Sequence, residues 1–129
     1  MANLAYFEIP ADNVDRAKRF YHALLGWKIE PTRTPMDPAT VASMQYQDIS
    51  TGEAQEGTLN MGGMYKRQMQ GTPIINYVMV EDIDIVLAKV EKLGGKIVLP
   101  KMEVKSVGLT AIIQDTEGNA IGLWKPAMM

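Results

Sequence analysis

Cysteine is absent from the chain, and histidine occurs once, as His22. The absence of cysteine excludes disulfides, thiolate metal sites and thiol nucleophiles. It also fits a reducing compartment, so we expect a cytoplasmic protein. His22 falls within a predicted helix, where we expect it at the helix surface or at an interface.

Neither an excess of basic residues nor a long apolar run is present. Among the 129 residues, 13 Lys and Arg against 15 Asp and Glu give a net charge of −2. Nucleic acid and anionic membranes are therefore poor partners. No stretch approaches the roughly 20 apolar residues of a membrane helix, and the first residues lack the pattern of a secretion signal. We expect a soluble protein.

Motifs for phosphate binding and nucleophilic catalysis are also missing. Gly94-Gly95 ends a predicted helix instead of beginning one, and it lacks the Gly-x-Gly-x-x-Gly spacing of a phosphate-binding loop. No serine-centred nucleophile elbow occurs. The ten methionines serve either as core filler or as the lining of an adaptable apolar pocket.

What the sequence does contain is an internal repeat. The matching segments are Phe7–Ile9 with Tyr77–Val80, and Leu25–Ile29 with Leu93–Ile97. Lys28 and Lys96 align at an offset of 68 residues, and one gap brings the helix starts between these segments into line. A strand, a helix and a glycine-ended return to a strand have been duplicated. Each copy is too small to bury its apolar face alone, so the copies must pack together.

Apolar periodicity assigns the elements of both copies. In the first copy we expect a helix capped by Asp12, and the elements in chain order are strand Leu4–Ile9, helix Val14–Leu25, and strands Trp27–Glu30, Val41–Asp48 and Thr58–Tyr65. In the second they are strand Ile74–Val80, a helix from Glu81 to about Leu93, and strands Lys96–Leu99, Leu109–Gln114 and Ala120–Trp124. Pro31–Pro38 is expected as a loop.

These elements predict the α+β class and one domain, residues 1–129. It consists of two tandem βαβββ modules, residues 1–65 and 74–126, joined by a polar linker at 66–73.

Three motifs point to a family. Phe20-Tyr21 near the end of the first helix, Leu25-Gly26-Trp27 after it and Asp115-Thr116-Glu117-Gly118-Asn119 before the last strand resemble the vicinal oxygen chelate superfamily. Glyoxalase I, extradiol dioxygenases and bleomycin-resistance proteins belong to it. The resemblance spans nearly the whole chain and implies a half-barrel of mixed sheet around an open cavity. Helices then lie on the outside, and a homodimer usually completes the structure. The motifs are structural and carry little chemistry.

Metal-using members of that superfamily take His and Glu ligands from the first and fourth strands of each module. By alignment these positions fall near Leu4, Ile75 and Gly122, and within Thr58–Tyr65, which contains no acid. None of them offers the imidazole or carboxylate that a divalent metal needs. We therefore expect no metal site and no cofactor.

Strand alternation then predicts which residues line the cavity that the resemblance implies. If Leu4 and Ile75 face it, the expected ligand-binding residues are Tyr6, Glu8, Tyr77, Met79 and Trp124. The alternative is that these side chains fill a collapsed core. Glu8 is the one candidate catalytic residue, because an inward carboxylate is unfavourable unless it is hydrogen-bonded, paired or used. The alternative to a functional role is a lysine or arginine partner across the sheet.

Three kinds of function fit these features. The favoured one is metal-independent binding of a small apolar or aromatic molecule in the cavity of a homodimer, similar to drug-sequestering members of the superfamily. The second is an enzyme. It is either a metal-dependent lyase, isomerase or dioxygenase with ligands at other positions, or a metal-free enzyme with Glu8 as general base near Tyr6 or Tyr77. The third is a partner protein without a small ligand. The sequence names no substrate or pathway.

Overall fold

The computed structural model describes residues 2–34, 37–104 and 107–127. The chain divides into two units: an N-terminal unit of residues 6–74, and a C-terminal unit of residues 1–5 together with 75–129. Two residues of the predicted loop Pro31–Pro38, Pro35 and Met36, lie outside the described residues. In the part of the chain that is described, no helix is long and apolar enough to cross a membrane.

The N-terminal unit contains a four-stranded mixed sheet and two helices. Its elements are β1 (Leu4–Ala11, in this unit from Tyr6 on), α1 (Val14–Leu25), β2 (Lys28–Pro31), α2 (Pro38–Met44), β3 (Gln47–Ser50) and β4 (Met61–Lys66). The strand order is β2-β3-β4-β1. Strand β1 runs parallel to β4, and the other neighbours are antiparallel.

The C-terminal unit repeats this pattern with one helix. Its elements are β5 (Ile75–Met79), α3 (Ile83–Val90), β6 (Lys96–Val104), β7 (Gly108–Gln114) and β8 (Ala120–Pro126). The order is β5-β8-β7-β6, with β5 parallel to β8 and the other pairs antiparallel. Because both units pair their strands in the same order, the predicted duplication and the α+β class are confirmed.

Helix α1 begins and ends where the sequence predicts, but its cap is a different residue. Asn13 Oδ1 accepts a backbone N–H of the first turn at 2.9 Å, and Gly26 ends the helix at φ 74°. The prediction that Asp12 caps the helix is wrong, because its carboxylate pairs with Arg67 Nε at 2.9 Å. His22 is exposed on this helix, as expected.

The predicted strand Val41–Asp48 is wrong except at its last two residues, because α2 extends to Met44 and β3 begins only at Gln47. Asp37 explains the helix, since its Oδ2 accepts from the N–H and the hydroxyl of Thr40 at 3.1 and 3.2 Å. Pro38 supplies a φ that suits the first helical turn. This capping outweighs the strand propensity of the β-branched residues that follow.

The other differences lie at element ends. Strand β6 runs to Val104 instead of Leu99, and α3 ends at Val90 instead of near Leu93. Strand β6 is exposed along nearly its whole length and its pairing is irregular at two places, so no apolar alternation marks where it stops. Lys66, predicted to begin the linker, is the last residue of β4.

One face of the N-terminal sheet packs against α1, and one face of the C-terminal sheet packs against α3. In the N-terminal unit the buried residues are Ile9, Ala11, Val14, Ile49 and Met64. Phe7, Tyr21 and Trp27 pack against them, and the rings of Tyr21 and Trp27 stack at 5.2 Å. In the C-terminal unit the corresponding cluster is Val80, Ile83, Ala111 and Leu123.

Gly62 allows Phe7 to lie flat across the neighbouring strand of this core. The two residues are paired in register, and a Cβ on Gly62 would lie 2.7 Å from Phe7 Cζ. We therefore predict that Gly62→Ala destabilises the protein by about 1–3 kcal/mol through overpacking.

Chemical denaturation of Gly62→Ala, Phe7→Leu and the double variant tests this contact. The double variant should lose less stability than the two single variants together, because the smaller side chain leaves room for the new methyl group. Additive losses would show that Gly62 is needed for another reason.

Candidate functional site

The face of the N-terminal sheet that points away from α1 is polar and aromatic. Strand alternation places Tyr6 and Glu8 of β1 there, because Phe7 and Ile9 belong to the core. Glu8 pairs in register with Gly63 of β4, so Gly63 and Tyr65 share the same face. We call this surface the Glu8 face.

A hydrogen bond organises the Glu8 face. The Tyr46 hydroxyl donates to Glu8 Oε2 at 2.6 Å. To reach the carboxylate, the phenol crosses β4 above Gly63, and any Cβ at Gly63 would overlap the Tyr46 hydroxyl. Gln45 directs Tyr46 there with φ 50°, a left-handed conformation that is unfavourable for a residue other than glycine. The absence of a side chain at Gly63 and the left-handed backbone of Gln45 therefore both allow the hydrogen bond between Tyr46 and Glu8.

Two more phenols accompany this pair. The rings of Tyr46 and Tyr65 are nearly parallel, with an interplanar angle of 9° and centroids 6.5 Å apart. Tyr6 lies two residues before Glu8 on the same face of β1. The structure thus brings together Tyr6 and Glu8, which the sequence predicts as site residues, and adds Tyr46 and Tyr65.

Two phenols of this face, those of Tyr6 and Tyr65, have raised pKa values. Burial, and then the negative charge of Glu8, raise the pKa of Tyr6 above its ordinary value. The pKa of Tyr65 is raised by the same two causes, in the same order, while Arg67 acts weakly in the opposite direction. Both phenols are therefore neutral hydrogen-bond donors at physiological pH.

Two further carboxylates lie in line with Glu8 across the sheet. Gly63 pairs with Asp48 of β3, and Asp48 pairs with Glu30 of β2, so these positions share the Glu8 face. Asp48 accepts from Thr32 Oγ1 at 2.8 Å and from a backbone N–H at 3.0 Å. The Glu8 face therefore carries three carboxylates in a row across its strands, with the phenols beside Glu8.

The predicted residues of the C-terminal unit share a face of their own sheet. Tyr77 pairs with Gly122 and Met79 pairs with Trp124, on the side opposite the buried cluster. The Tyr77 ring covers Gly122, as Tyr46 covers Gly63, and Tyr77 is buried while Met79 is 38% exposed. This face is largely apolar. That it joins Tyr6 and Glu8 in one binding site stays a prediction.

One polar group stands out on this second face. Thr110 pairs in register with Trp124, and its hydroxyl is buried without a hydrogen-bond partner among the described residues. A buried hydroxyl without a partner is unfavourable by about 1–3 kcal/mol, so it marks a place for a water or a ligand group.

A cleft elsewhere in the C-terminal unit is less suited to specific binding. It has a volume of about 390 Å³ between α3 and β7, and its walls include Val86, Val90, Leu93 and Ile113. The Asp115 carboxylate at its edge already accepts two N–H groups of its own turn at 2.8 and 2.9 Å. The cleft therefore lacks the convergent polar groups that the Glu8 face provides.

The residues at the superfamily's metal positions do not fit a metal ion. Leu4, Ile75 and Gly122 carry no donor atom, and β4, Met61–Lys66, contains no acid. Over residues 2–34, 37–104 and 107–127, no three His, Asp or Glu side chains are grouped so that they could hold a metal ion. The carboxylate of Glu8 accepts a hydrogen bond from the Tyr46 phenol.

Sequence reasoning missed Tyr46, Gly63 and Tyr65. Tyr65 lies two residues after Gly63 on β4, so alternation places it on the Glu8 face once the register of β4 against β1 is known. Tyr46 falls within the predicted strand Val41–Asp48 but lies just before β3 in the structure, and alternation does not show that its ring crosses β4 to reach Glu8. The signal was Gly62-Gly63, because glycines within a strand mark a close approach of another group.

Comparison with known proteins agrees with the fold. Residues 3–123 match the model of the Glyoxalase/Bleomycin resistance protein/Dioxygenase superfamily, and the chain belongs to this superfamily. Protein CFP32 of Mycobacterium tuberculosis, named as a candidate glyoxylase, is 30% identical over 93% of this chain and 44% of its own length. The anthracycline biosynthesis protein DnrV of Streptomyces peucetius is 26% identical over 97% of this chain and 47% of its own length. The chain thus spans less than half the length of these curated relatives.

Solved structures share the same fold. Methylmalonyl-CoA epimerase from Mycobacterium tuberculosis superposes with a TM-score of 0.64 at 17% identity, covering 96% of this chain and 87% of that one. A superfamily member from Vibrio splendidus gives a TM-score of 0.61 at 11% identity, covering 97% and 99%. At these identities the likeness concerns the fold alone.

We predict that Glu8→Gln lowers the pKa of both Tyr6 and Tyr65, because it removes the charge that opposes phenolate formation and keeps the side-chain shape. Both pKa values should stay raised, since burial is the larger cause. NMR titration of ¹³C-labelled tyrosine rings measures this. Glu53→Gln, in the exposed loop after β3, is the control and should change neither pKa.

The same shifts predict a pH dependence of stability. A phenol whose pKa is raised by folding stabilises the protein fully below the ordinary value of 10.0, and this contribution is lost as the pH rises above it. Denaturation between pH 10 and about 11 should therefore show a smaller loss of stability in Tyr6→Phe, which has no hydroxyl to ionise in the unfolded chain, than in the wild type. Equal losses would show that folding does not raise the pKa of Tyr6.

Proposed function

We propose that this protein binds a small aromatic molecule without a metal, and that the Glu8 face is the part of the site that orients it. The observation that carries the proposal is the hydrogen bond between Tyr46 and Glu8 above Gly63. A partly buried carboxylate is unfavourable unless it is hydrogen-bonded or paired, and here the chain leaves a glycine bare so that a phenol can reach it, which supports a use for its charge. The left-handed backbone conformation of Gln45 is also unfavourable, and unfavourable backbone conformations are concentrated at functional sites.

The aromatic side chains supply the affinity in this proposal. Tyr65 and Tyr46 offer flat apolar surface, while their hydroxyls and Glu8 provide a few directed polar contacts. Tyr77, Met79 and Trp124 offer a second surface of similar chemistry, with the Thr110 hydroxyl as its polar group. Sites for small molecules typically combine such apolar walls with few polar anchors.

A metal-free enzyme is the second candidate, and the same hydrogen bond favours it. A phenol that donates to Glu8 stabilises the ionised carboxylate, which is the form that removes a proton from a substrate. Chains with this fold include methylmalonyl-CoA epimerases, and an epimerase must exchange a proton at carbon. In this candidate Glu8 is the base, and Tyr46 orients it.

A homodimer and a cytoplasmic location complete the proposal. A second copy would cover exposed apolar residues of β6, namely Ile97, Val98, Leu99 and Met102. The cytoplasmic location stays a prediction from the cysteine-free sequence.

The proposal is tested by native mass spectrometry and elemental analysis of protein purified without chelator, followed by ligand-observed NMR with a set of small aromatic molecules. We expect no stoichiometric divalent metal, a dimer mass, and bound aromatic compounds. About one tightly held metal ion per chain would contradict the proposal.

Tyr65→Leu should weaken binding of these compounds by about 0.5–1.5 kcal/mol, because it removes one stacked ring. Phe20→Leu is the matched control, since Phe20 is an aromatic residue of α1 that is 58% exposed and lies off the Glu8 face. Equal effects of the two variants would contradict the assignment of the site.

If the protein is instead an enzyme, Glu8→Gln should lower its rate by about 10²–10⁴-fold, as expected for loss of a general base. Proton exchange from carbon acids in D₂O, followed by NMR, measures this without knowledge of the natural substrate. An exchange rate that is unchanged in Glu8→Gln would remove Glu8 as the base.

A further inference from the structure

We infer that the C-terminal unit selects a neutral aromatic ligand that carries a hydroxyl group, and that Thr110 is the residue that recognises this group. The inference rests on the proposed function and adds the chemical class of the ligand and a specificity-determining residue. Its basis is the buried Thr110 hydroxyl on the apolar face of the C-terminal sheet.

Thr110 lies on the face of this sheet that is opposite to the buried cluster. Leu109 and Ala111, its neighbours along β7, belong to the side that packs with α3, so strand alternation turns Thr110 the other way. Register pairing places it between Trp124 of β8 and Met102 of β6. Thr110 is therefore in the middle of a row that crosses three strands.

The hydroxyl of Thr110 has no use within the described structure. Its oxygen is buried, and no described residue donates to it or accepts its proton. Such a hydroxyl destabilises the folded protein, and valine would fill the same space without that penalty. Threonine at this position is explained if a group from outside the chain completes its hydrogen bonds. That group is either an ordered water or part of a ligand, and the test below separates the two.

The surroundings of Thr110 favour a neutral group. On β7 its neighbours on the same face are Gly108 and Ile112, and the residues paired with these three positions on β8 and β6 are all uncharged. A charged group placed against Thr110 would lose its water and meet no opposite charge among these residues. A ligand hydroxyl stays neutral, and it can both donate to the Thr110 oxygen and accept its proton.

Trp124 supplies a flat surface for the ring of the ligand. A Cβ at Gly108 would lie 2.9 Å from Cη2 of the Trp124 indole, so the absence of a side chain lets the indole reach over β7 next to Thr110. On the other side Met102 is 54% exposed. Its unbranched side chain repacks easily, so it can turn aside and admit a hydroxyl to Thr110 while the ring contacts the indole.

A cycle of two ligands and two proteins tests the inference. Phenol and toluene have the same shape and differ by a hydroxyl against a methyl group, as threonine and valine do. Their dissociation constants for the wild type and Thr110→Val are measured by titration of the indole signal of Trp124 in ¹⁵N-tryptophan-labelled protein. We expect the preference for phenol over toluene to be about fivefold or more larger in the wild type than in Thr110→Val.

The stability of the unliganded protein gives a second readout. Thr110→Val should raise the midpoint of chemical denaturation, because it removes a buried hydroxyl without a partner. A threonine with a purely structural role would show the reverse, so a lower midpoint would overturn the inference. Thr110→Ser keeps the hydroxyl and should keep the preference for phenol. Thr116→Val, in the exposed turn after β7, is the matched control and should leave the preference unchanged.

The outcomes separate this inference from the proposed function. If both probes shift the Trp124 signal but the preference is the same in Thr110→Val, the hydroxyl holds only a water; the inference then fails and the aromatic site remains. If benzoate binds more tightly than phenol, the ligand is not neutral and the inference fails. If aromatic compounds shift the ring signals of Tyr46 or Tyr65 but not that of Trp124, the Glu8 face binds without this surface and the inference fails alone. If no compound shifts any of these signals, both proposals fail.

Discussion

The Glu8 face depends on one contact, the hydrogen bond from Tyr46 to Glu8 across Gly63. Each partner requires a different part of the unit. The register of β1 against β4 places a glycine beside the carboxylate, and the left-handed Gln45 turns the chain so that the phenol crosses above that glycine. A larger residue at Gly63 would push the phenol away, and the carboxylate would then lose a partner in a place where water is partly excluded. The contact therefore links the backbone geometry of β4 directly to the charge of the site.

Both units have a strand glycine covered by a tyrosine ring, but the residue paired with that glycine differs between them. When the two units are aligned at their helix N-caps, Asn13 and Asp82, Tyr77 corresponds to Glu8. Gly122 then lies opposite Tyr77 as Gly63 lies opposite Glu8. Both glycines are covered by a phenol ring, but the ring comes from Tyr46 in one unit and from the paired residue itself in the other. Duplication thus preserved the space above a strand glycine. One unit uses that space to support a carboxylate, and the other fills it with an apolar surface.

Much of the fold followed from the sequence because it depends on local periodicity. Helix α1 lies at the predicted residues, since apolar spacing and a glycine stop are both readable along the chain. Helix α2 was missed because its start depends on the Asp37 side chain, which overrides the strand propensity of nearby residues. The site was half predictable for a related reason. Alternation along β1 gives Tyr6 and Glu8. Tyr46 precedes β3 and its ring crosses β4 to reach Glu8 on β1, so its position becomes clear only when the pairing of these three strands is known.

The chemistry of this face follows from what it offers in place of metal ligands. A metal ion would activate a substrate by drawing electrons from its oxygen atoms. A carboxylate beside phenols supplies a proton acceptor and hydrogen-bond donors instead, so in the proposed functions it suits a ligand or substrate that offers a hydrogen to Glu8 and an oxygen atom to a phenol. Binding of an aromatic ligand through a hydrogen bond to Glu8 and removal of a proton by Glu8 thus make the same demand on the proposed site, because the carboxylate must face the bound molecule. They differ in what becomes of the hydrogen, because a bound ligand keeps it and shares it with the carboxylate, whereas a carbon acid gives it up.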